Sequence, residues 1–258
     1  MQALEEIADS EENSRIRAEI WSDFVGWDDR RRGENGFLLK QLKRFNVKTV
    51  LDAAPGDGVD TTYLLNRGYN VSANEVDEPF RQKTVENAKK AGFDIEPTNL
   101  DWRALTKTYQ ENSFDAIICL GNSLTCLFGK ENMLAALKEF NKVLKDGGVL
   151  LVDERNYQKI LDNREAALNG ELHSSGKYLY TGTDKVKSRF AKVTDDCILI
   201  EYNHKQLDKK AYYKVCPLRR NEFKNLLSEA GFNRIEKYSD YEEKDNPESD
   251  FNQYVCVK

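Results

Sequence analysis

The residues best suited to chemistry begin with Val50-Leu51-Asp52-Ala53-Ala54-Pro55-Gly56-Asp57-Gly58, an apolar run entering a glycine turn, followed by a second apolar run that ends at Glu75. Glycines at 56 and 58 let backbone N–H groups come close to a ligand, and a carboxylate at Glu75 can accept hydrogen bonds from both hydroxyls of a ribose. Together they describe a nucleoside half-site. Two further groups stand just beyond later apolar runs: Asn122, whose amide oxygen can meet an amine, and Arg155, whose guanidinium can clamp a carboxylate bidentately. A dinucleotide fingerprint needs G-x-G-x-x-G, and Thr61 occupies the place of its third small residue, which turns the reading away from NAD.

These groups need a scaffold that brings separate loops to one edge. Apolar residues recur at helical spacing at Ile16, Ile20, Phe24 and at Phe37, Leu38, Leu42, predicting helices over 14–25 and 35–46. Strands are then expected over 47–53, 69–75, near Ile95, and over 114–120 and 149–152, alternating with helices over 59–66, 79–91 and 131–144, the last ending at the Gly147-Gly148 turn. The continuous apolar run 114–120 suits a strand buried on both faces. Beyond residue 157 the pattern changes to polar/apolar alternation near 177–181, 187–193, 197–207 and 210–216, as in antiparallel strands. A helix around Phe223, Leu226 and Leu227 and a terminal strand Tyr254-Val255-Cys256-Val257 follow, and the tail is expected to close the sheet as an antiparallel edge.

The fold expected is thus α/β: a doubly wound, mostly parallel, seven-stranded sheet with an antiparallel insertion forming a lid. Four parts follow: a helical cap over 1–46, a cofactor core over 47–157, a substrate lid over 158–217, and a helix and strands over 218–258 that complete the sheet.

Composition narrows the function. The formal charge is −5 with lysines interspersed, without the clustered basic surface that nucleic acid requires. The five cysteines are odd in number and contain no C-x-x-C pair, so neither a disulfide framework nor a zinc site is indicated. No apolar run approaches a membrane span and the first residues lack signal-peptide character, which predicts a cytoplasmic protein. Ser123 lacks a G-x-S-x-G setting, and His173 and His204 have no evident partner, which argues against a hydrolase. No clustered carboxylate or histidine pattern suggests a metal.

The pattern Asp52-x-Ala54-x-Gly56-x-Gly58 resembles the first motif of class I S-adenosylmethionine-dependent methyltransferases, and Ile117-Ile118-Cys119-Leu120-Gly121-Asn122-Ser123 together with Asp153-Glu154-Arg155-Asn156-Tyr157 resembles glycine and sarcosine N-methyltransferases. That resemblance implies S-adenosylmethionine as cofactor, contacted by Ala54, Gly56, Gly58 and Leu120. Glu75 would hold its ribose and Asp101-Trp102 its adenine. Trp27-Asp28-Asp29-Arg30-Arg31 is similar to a segment whose arginine holds the cofactor's carboxylate, which points to Arg30. Trp21 either covers the cofactor or packs in the core. Ile200-Glu201-Tyr202 is similar to a segment whose tyrosine faces the amino acid, although a cross-strand packing role suits Tyr202 equally.

By the same resemblance the amine of glycine or sarcosine, extending to dimethylglycine on the route to betaine, is the methyl acceptor. The catalytic set is Asn122, Arg155 and Tyr202, all positioning groups, with no obligatory base. Rival readings are methylation of another small amine or hydroxyl, or a non-catalytic cofactor-binding module. Cys126 stands where the family usually has histidine, and Pro55 and Asp57 alter the glycine turn. The number of methyl additions and the oligomeric state are left open.

Overall fold

A computed structural model describes residues 2–175 and 185–258. The expected segment near 177–181 lies outside the described residues. Helices α1 (Gln2–Ala8), α2 (Glu11–Phe24), α3 (Trp27–Glu34) and α4 (Phe37–Arg44) come first. Asn35 and Gly36 both take left-handed backbone conformations, which divide α3 from α4. The alternating core follows as β1 (Thr49–Asp52), α5 (Val59–Leu65), β2 (Asn70–Ala73), α6 (Glu78–Lys90), β3 (Phe114–Cys119), α7 (Lys130–Val143) and β4 (Leu144–Arg155). Then come α8 (Tyr157–Asp162), α9 (Arg164–Asn169), β5 (Val186–Val193), β6 (Ile198–His204), β7 (Lys209–Val215), α10 (Glu222–Glu229), β8 (Arg234–Ser239) and β9 (Phe251–Val257).

Among the described residues the main sheet has six strands, not seven, in the order β2-β1-β3-β4-β9-β8, and the insertion forms a separate sheet β5-β6-β7. The strand expected near Ile95 shrinks to a single parallel bridge between Asn74 and Thr98. Pro97 has no N–H to donate, and the Asn74 side chain takes over the pairing, accepting from Leu100 N–H at 2.8 Å and donating to the Leu100 carbonyl at 3.0 Å. The tail is not the edge either: β9 pairs antiparallel with β4 on one side and β8 on the other. Residues 251–256 are all buried, a pattern an edge strand cannot satisfy. Gly147 and Gly148 sit inside β4 rather than before it, where the β3–β4 register slips between Phe114 and Ala116.

Period-two alternation explains the layers. Leu51, Ile117, Leu150 and Val152 face a core shared with Phe24, Phe140 and Leu227. Their neighbours Val50, Ala116, Ile118, Val149 and Leu151 face a second core with Leu38, Leu42 and Leu64. The central strands β1, β3 and β4 therefore have both faces covered, while β2 at the sheet edge stays partly exposed, and their carboxyl ends are the parts left to meet a ligand.

The insertion is fastened to this body through α2. Asn13, buried on α2, completes the edge of β7 like an added strand: its Nδ2 donates to the Tyr212 carbonyl at 2.9 Å and its Oδ1 accepts from Tyr212 N–H at 2.7 Å. Asn13→Ala removes both partners, and a buried pair left unsatisfied costs roughly 1–3 kcal/mol. The variant is expected to show a lower denaturation midpoint by that amount, measured with urea; an unchanged midpoint would show that solvent replaces the amide.

Candidate active site

β1, β2, β3 and β4 deliver their carboxyl ends to one edge of the sheet, where a cavity of about 540 Å³ opens. Its wall takes Ala54 and Gly56 from the turn after β1, Glu75 from beyond β2, Leu120 from beyond β3, Trp102, and Trp21 and Arg30 from the cap. Seven of the nine expected cofactor residues are thus gathered on one surface. Gly58 and Asp101 stand behind it. Gly58 has φ 88°, and a Cβ there would lie 3.2 Å from Thr84 Cα, so glycine is what lets the turn rest on α6. Asp101 instead caps the short 3-10 helix Trp102–Lys107, accepting from Arg103 N–H at 2.9 Å and pairing with the Arg103 guanidinium, which holds its carboxyl below the usual range.

Polar groups fix the turn from several sides. Glu75 Oε2 accepts from Gly56 N–H at 3.2 Å and Oε1 from Asp77 N–H at 3.0 Å. Thr84 donates to the Gly56 carbonyl at 2.8 Å, and the Trp102 indole N–H donates to the Ala53 carbonyl at 2.7 Å. Trp102 therefore spends its polar edge on the turn and offers its ring to the cavity. Burial pushes Glu75 up to about 7, with the Asp77 N–H acting the other way. Asp52 is likewise pushed up by burial to about 7, although the Thr61 hydroxyl donates to it at 2.6 Å. Burial would raise Asp60 too, but Arg30 and Arg31 both pair with it and hold it down at about 2. Arg30, expected at a ligand carboxylate, lines the cavity while bound to Asp60.

Asn122, Arg155 and Tyr202 come together beside this wall. Asn122 adopts a left-handed conformation, φ 68°, immediately after β3. Its N–H donates to Asp153 Oδ1 at 2.6 Å. Its Oδ1 accepts from Arg155 N–H at 2.9 Å and from the Tyr157 hydroxyl at 2.7 Å. This corrects the expected role of the amide oxygen: both of its lone pairs serve the fold, and the buried group without a partner is Nδ2. Tyr202 is buried, its ring 4.5 Å from Phe24 and 5.7 Å from Trp21, and burial raises its hydroxyl while the Arg155 charge acts the other way.

Arg155 itself lies 4.8 Å above the Phe251 ring and opens on a second cavity of about 240 Å³. The neighbouring acids are committed elsewhere: Asp153 to Asn122, Glu154 to the Tyr254 hydroxyl at 2.8 Å, Glu201 to Arg189 and Asp250 to Lys159. Glu154 is also pushed up by burial to about 8. The guanidinium thus keeps its charge available.

Several lining residues escaped the sequence reading. Arg17 lies between the rings of Phe80 (5.1 Å) and Tyr213 (5.3 Å) and pairs with Asp77 at 2.8 Å. Tyr213 accepts from the Cys126 thiol at 3.0 Å. Both come from elements remote in sequence, α2 and β7, and helical or alternating periodicity gives them no mark beyond packing. The cradle has what a nucleoside requires: a carboxylate placed to meet ribose hydroxyls, an aromatic wall, and a turn that only glycine permits. Among the described residues no cluster of His, Cys, Asp and Glu suits a metal ion, and no helix is long and apolar enough to cross a membrane.

A family model described as a methyltransferase domain matches residues 50–148. The chain is 36% identical over 244 residues to a glycine/sarcosine N-methyltransferase from Aphanothece halophytica, covering 93% of this chain and 87% of the relative. It is 34% identical over 222 residues to a glycine/sarcosine N-methyltransferase from Halorhodospira halochloris, covering 86% and 79%. Among solved structures, an S-adenosylmethionine-dependent methyltransferase from Clostridium acetobutylicum superposes with a TM-score of 0.70 at 16% identity, over 94% of this chain and 96% of the other.

The raised Glu75 carboxyl carries a pH signature. Its native state holds a proton that the unfolded chain releases near the ordinary glutamate value of 4.5, so its contribution is fully present below that pH and is lost as the pH rises through about 7. Glu75→Gln removes this dependence. The variant is expected to gain stability over the parent progressively between those values, measured by urea unfolding at a series of pH, while losing affinity for adenosine-bearing ligands. A constant difference across the series would contradict the buried, proton-holding carboxyl.

Proposed function

The chain belongs to the glycine/sarcosine N-methyltransferase family, and from that premise we propose that Arg155 holds the carboxylate of glycine or sarcosine while the substrate amine receives a methyl group from S-adenosylmethionine. The enzyme is a methyltransferase with S-adenosylmethionine as cofactor. The observation that carries the substrate assignment is the Arg155 guanidinium: partly buried, seated over the Phe251 ring, and near acids that are already paired.

When bound, S-adenosylmethionine supplies a methyl group made electrophilic by its sulfonium, so the protein's task is alignment. Alignment of this kind can lower a barrier by roughly 7–11 kcal/mol. Gly56, Ala54, Glu75, Trp102, Leu120, Trp21 and Arg30 would hold the cofactor, with Gly58 and Asp101 supporting them from behind. Asn122 adds its Nδ2 as a second donor next to Arg155, because its oxygen is already bound. Tyr202 acts as a neutral positioning residue. Burial raises its hydroxyl above the ordinary phenol range, which keeps the proton that a base would have to lose.

In this reading residues 158–217 are the substrate lid, 1–46 the cap and 218–258 the closing part of the core 47–157. The enzyme works in the cytoplasm on a small amino acid. Tyr202 links lid to cap through the Trp21 ring, which is the support for that division of labour.

Purified protein given S-adenosylmethionine is expected to methylate glycine, sarcosine or both and to release S-adenosylhomocysteine; dimethylglycine is tested alongside to count the methyl additions. Failure with all three would overturn the substrate assignment. Arg155→Ala is expected to raise the amino acid's KM roughly 30-fold or more, as for loss of one partner of a desolvated charge pair, with cofactor affinity within threefold of the parent. Equal losses for both ligands would contradict the clamp.

A further inference from the structure

Two of the five cysteines, far apart in the sequence, meet across the lid sheet. In the antiparallel pairing of β6 with β7, Leu199 stands opposite Lys214 and Ile198 opposite Val215. One residue further along, at the end of that ladder, the same register sets Cys197 opposite Cys216. Their backbones are bonded elsewhere. Cys197 N–H donates to the Thr194 hydroxyl at 3.1 Å and its carbonyl accepts from Thr194 N–H at 3.0 Å, while Cys216 N–H donates to the Thr125 carbonyl at 2.8 Å. The two therefore form a non-hydrogen-bonded antiparallel pair, the kind whose Cα atoms stand closest, at about 4.5 Å. A disulfide accepts Cα separations of roughly 4.4–6.8 Å, so the backbone already offers the spacing the bond needs.

Alternation along the strands places both side chains on one face. Ile198 and Val215 belong to the main core, so Cys197 and Cys216 share the opposite face with Leu199 and Lys214. Their surroundings agree with that placement. Burial raises the Cys197 thiol, and the groups acting on it include Glu5, Lys192, Lys214 and Cys216 itself. Burial raises the Cys216 thiol too, with the Gly129 N–H and Lys130 acting the other way. Cys216 is only partly buried, so a small oxidant can reach it, whereas Cys197 is covered.

The other three cysteines are arranged differently. Cys119 lies buried in β3 opposite Val152, and Cys256 lies buried in β9 between Leu150 and Ile235. Cys126 is exposed and its thiol donates to the Tyr213 hydroxyl at 3.0 Å.

We propose that Cys197 and Cys216 are a reversible modification site, joined as a disulfide at the open end of the β6–β7 hairpin when a hydroperoxide reaches Cys216. In the first step the Cys216 sulfur attacks the peroxide, the O–O bond breaks, and a sulfenic acid and one water form. The Cys197 sulfur then attacks the Cys216 sulfur: the S–S bond forms, the S–O bond breaks, and the departing hydroxide takes the Cys197 proton as a second water. Two thiols lose two electrons to one peroxide, and a dithiol reverses the change. Neither cofactor nor amino acid takes part. The bond would act next to the substrate loop, because the Thr125 that holds Cys216 N–H also donates its hydroxyl to the Asn122 carbonyl at 2.8 Å and lies 2.8 Å from the Tyr157 hydroxyl.

The test treats the full chain, reduced and freed of reductant, with hydrogen peroxide, alkylates the remaining thiols, and digests without reduction. Lys205, Lys209, Lys210 and Lys214 lie between the two cysteines, so trypsin separates them unless a disulfide joins their peptides. Mass spectrometry is expected to find a joined peptide carrying Cys197 and Cys216, two hydrogens lighter than its parts, which dithiothreitol resolves. Cys197→Ser and Cys216→Ser are each expected to abolish it, and the measurement on the parent chain stands whether or not these variants fold. The oxidised parent is also expected to unfold at a higher urea concentration than the reduced one, since a cross-link across a pair already in register constrains the unfolded chain without distorting the native one. Linkage of Cys216 to Cys126, overoxidation of Cys216 with Cys197 still free to be alkylated, or a lower urea midpoint for the cross-linked chain would overturn the proposal.

Discussion

The parallel pairing of β1 to β4 dictates where this protein can act. Parallel strands must all end at the same edge, and with both faces of the sheet packed under helices, that edge is the place where backbone and side chains stay unpaired. The glycine turn, Glu75, Leu120 with Asn122, and Arg155 are the four consecutive products of that constraint. Each is separated from the next in sequence by a crossover, and each arrives within one neighbourhood because its strand does.

Burial of charge gives the neighbourhood its character. The turn after β1 brings Asp52, Asp57 and Asp60 close to the core, and the cap answers with Arg30 and Arg31 on α3 and with Ser22 and Trp27. An exposed version of these contacts would contribute little, but in a desolvated site each unpaired group is costly, so the cap is held in place by what the turn requires. On the other side, Asn122 performs the corresponding task for β3 and β4. Its oxygen ties Arg155 N–H to the Tyr157 hydroxyl, and its strained backbone is kept by Asp153. The Arg155 backbone is thereby fixed beside Asn122, and its guanidinium lies over the Phe251 ring.

Local pattern was a good guide wherever the determinant was local. Alternation of apolar residues located β1 to β4 and their helices to within a few positions, and the glycine turn could be read because left-handed backbone and close approach leave glycine little competition. It failed where pairing partners decide the outcome. Near Ile95 the apolar residues promised a strand, but Pro97 and the Asn74 side chain reduced it to one bridge. The tail read as an edge, yet β8 lies outside it, because alternation reports burial of a strand and says nothing of which strand lies next to it.

What the sequence determined by itself is the set of chemical groups and the loops that carry them: the turn, Glu75, Asn122 and Arg155 are fixed by strand ends, and strand ends follow from local periodicity. Only the tertiary structure decided how those groups are spent. It gave the Asn122 oxygen to Arg155 and Tyr157, gave the Trp102 indole N–H to Ala53, and turned Asp101 away toward Arg103. It also drew in Arg17 and Tyr213 from distant elements and left one buried oxygen of Asp57 without a hydrogen-bond partner. Hydrogen-bond partners and burial depend on neighbours far away along the chain, and a carboxylate or amide has its role set by which of its atoms those neighbours leave free.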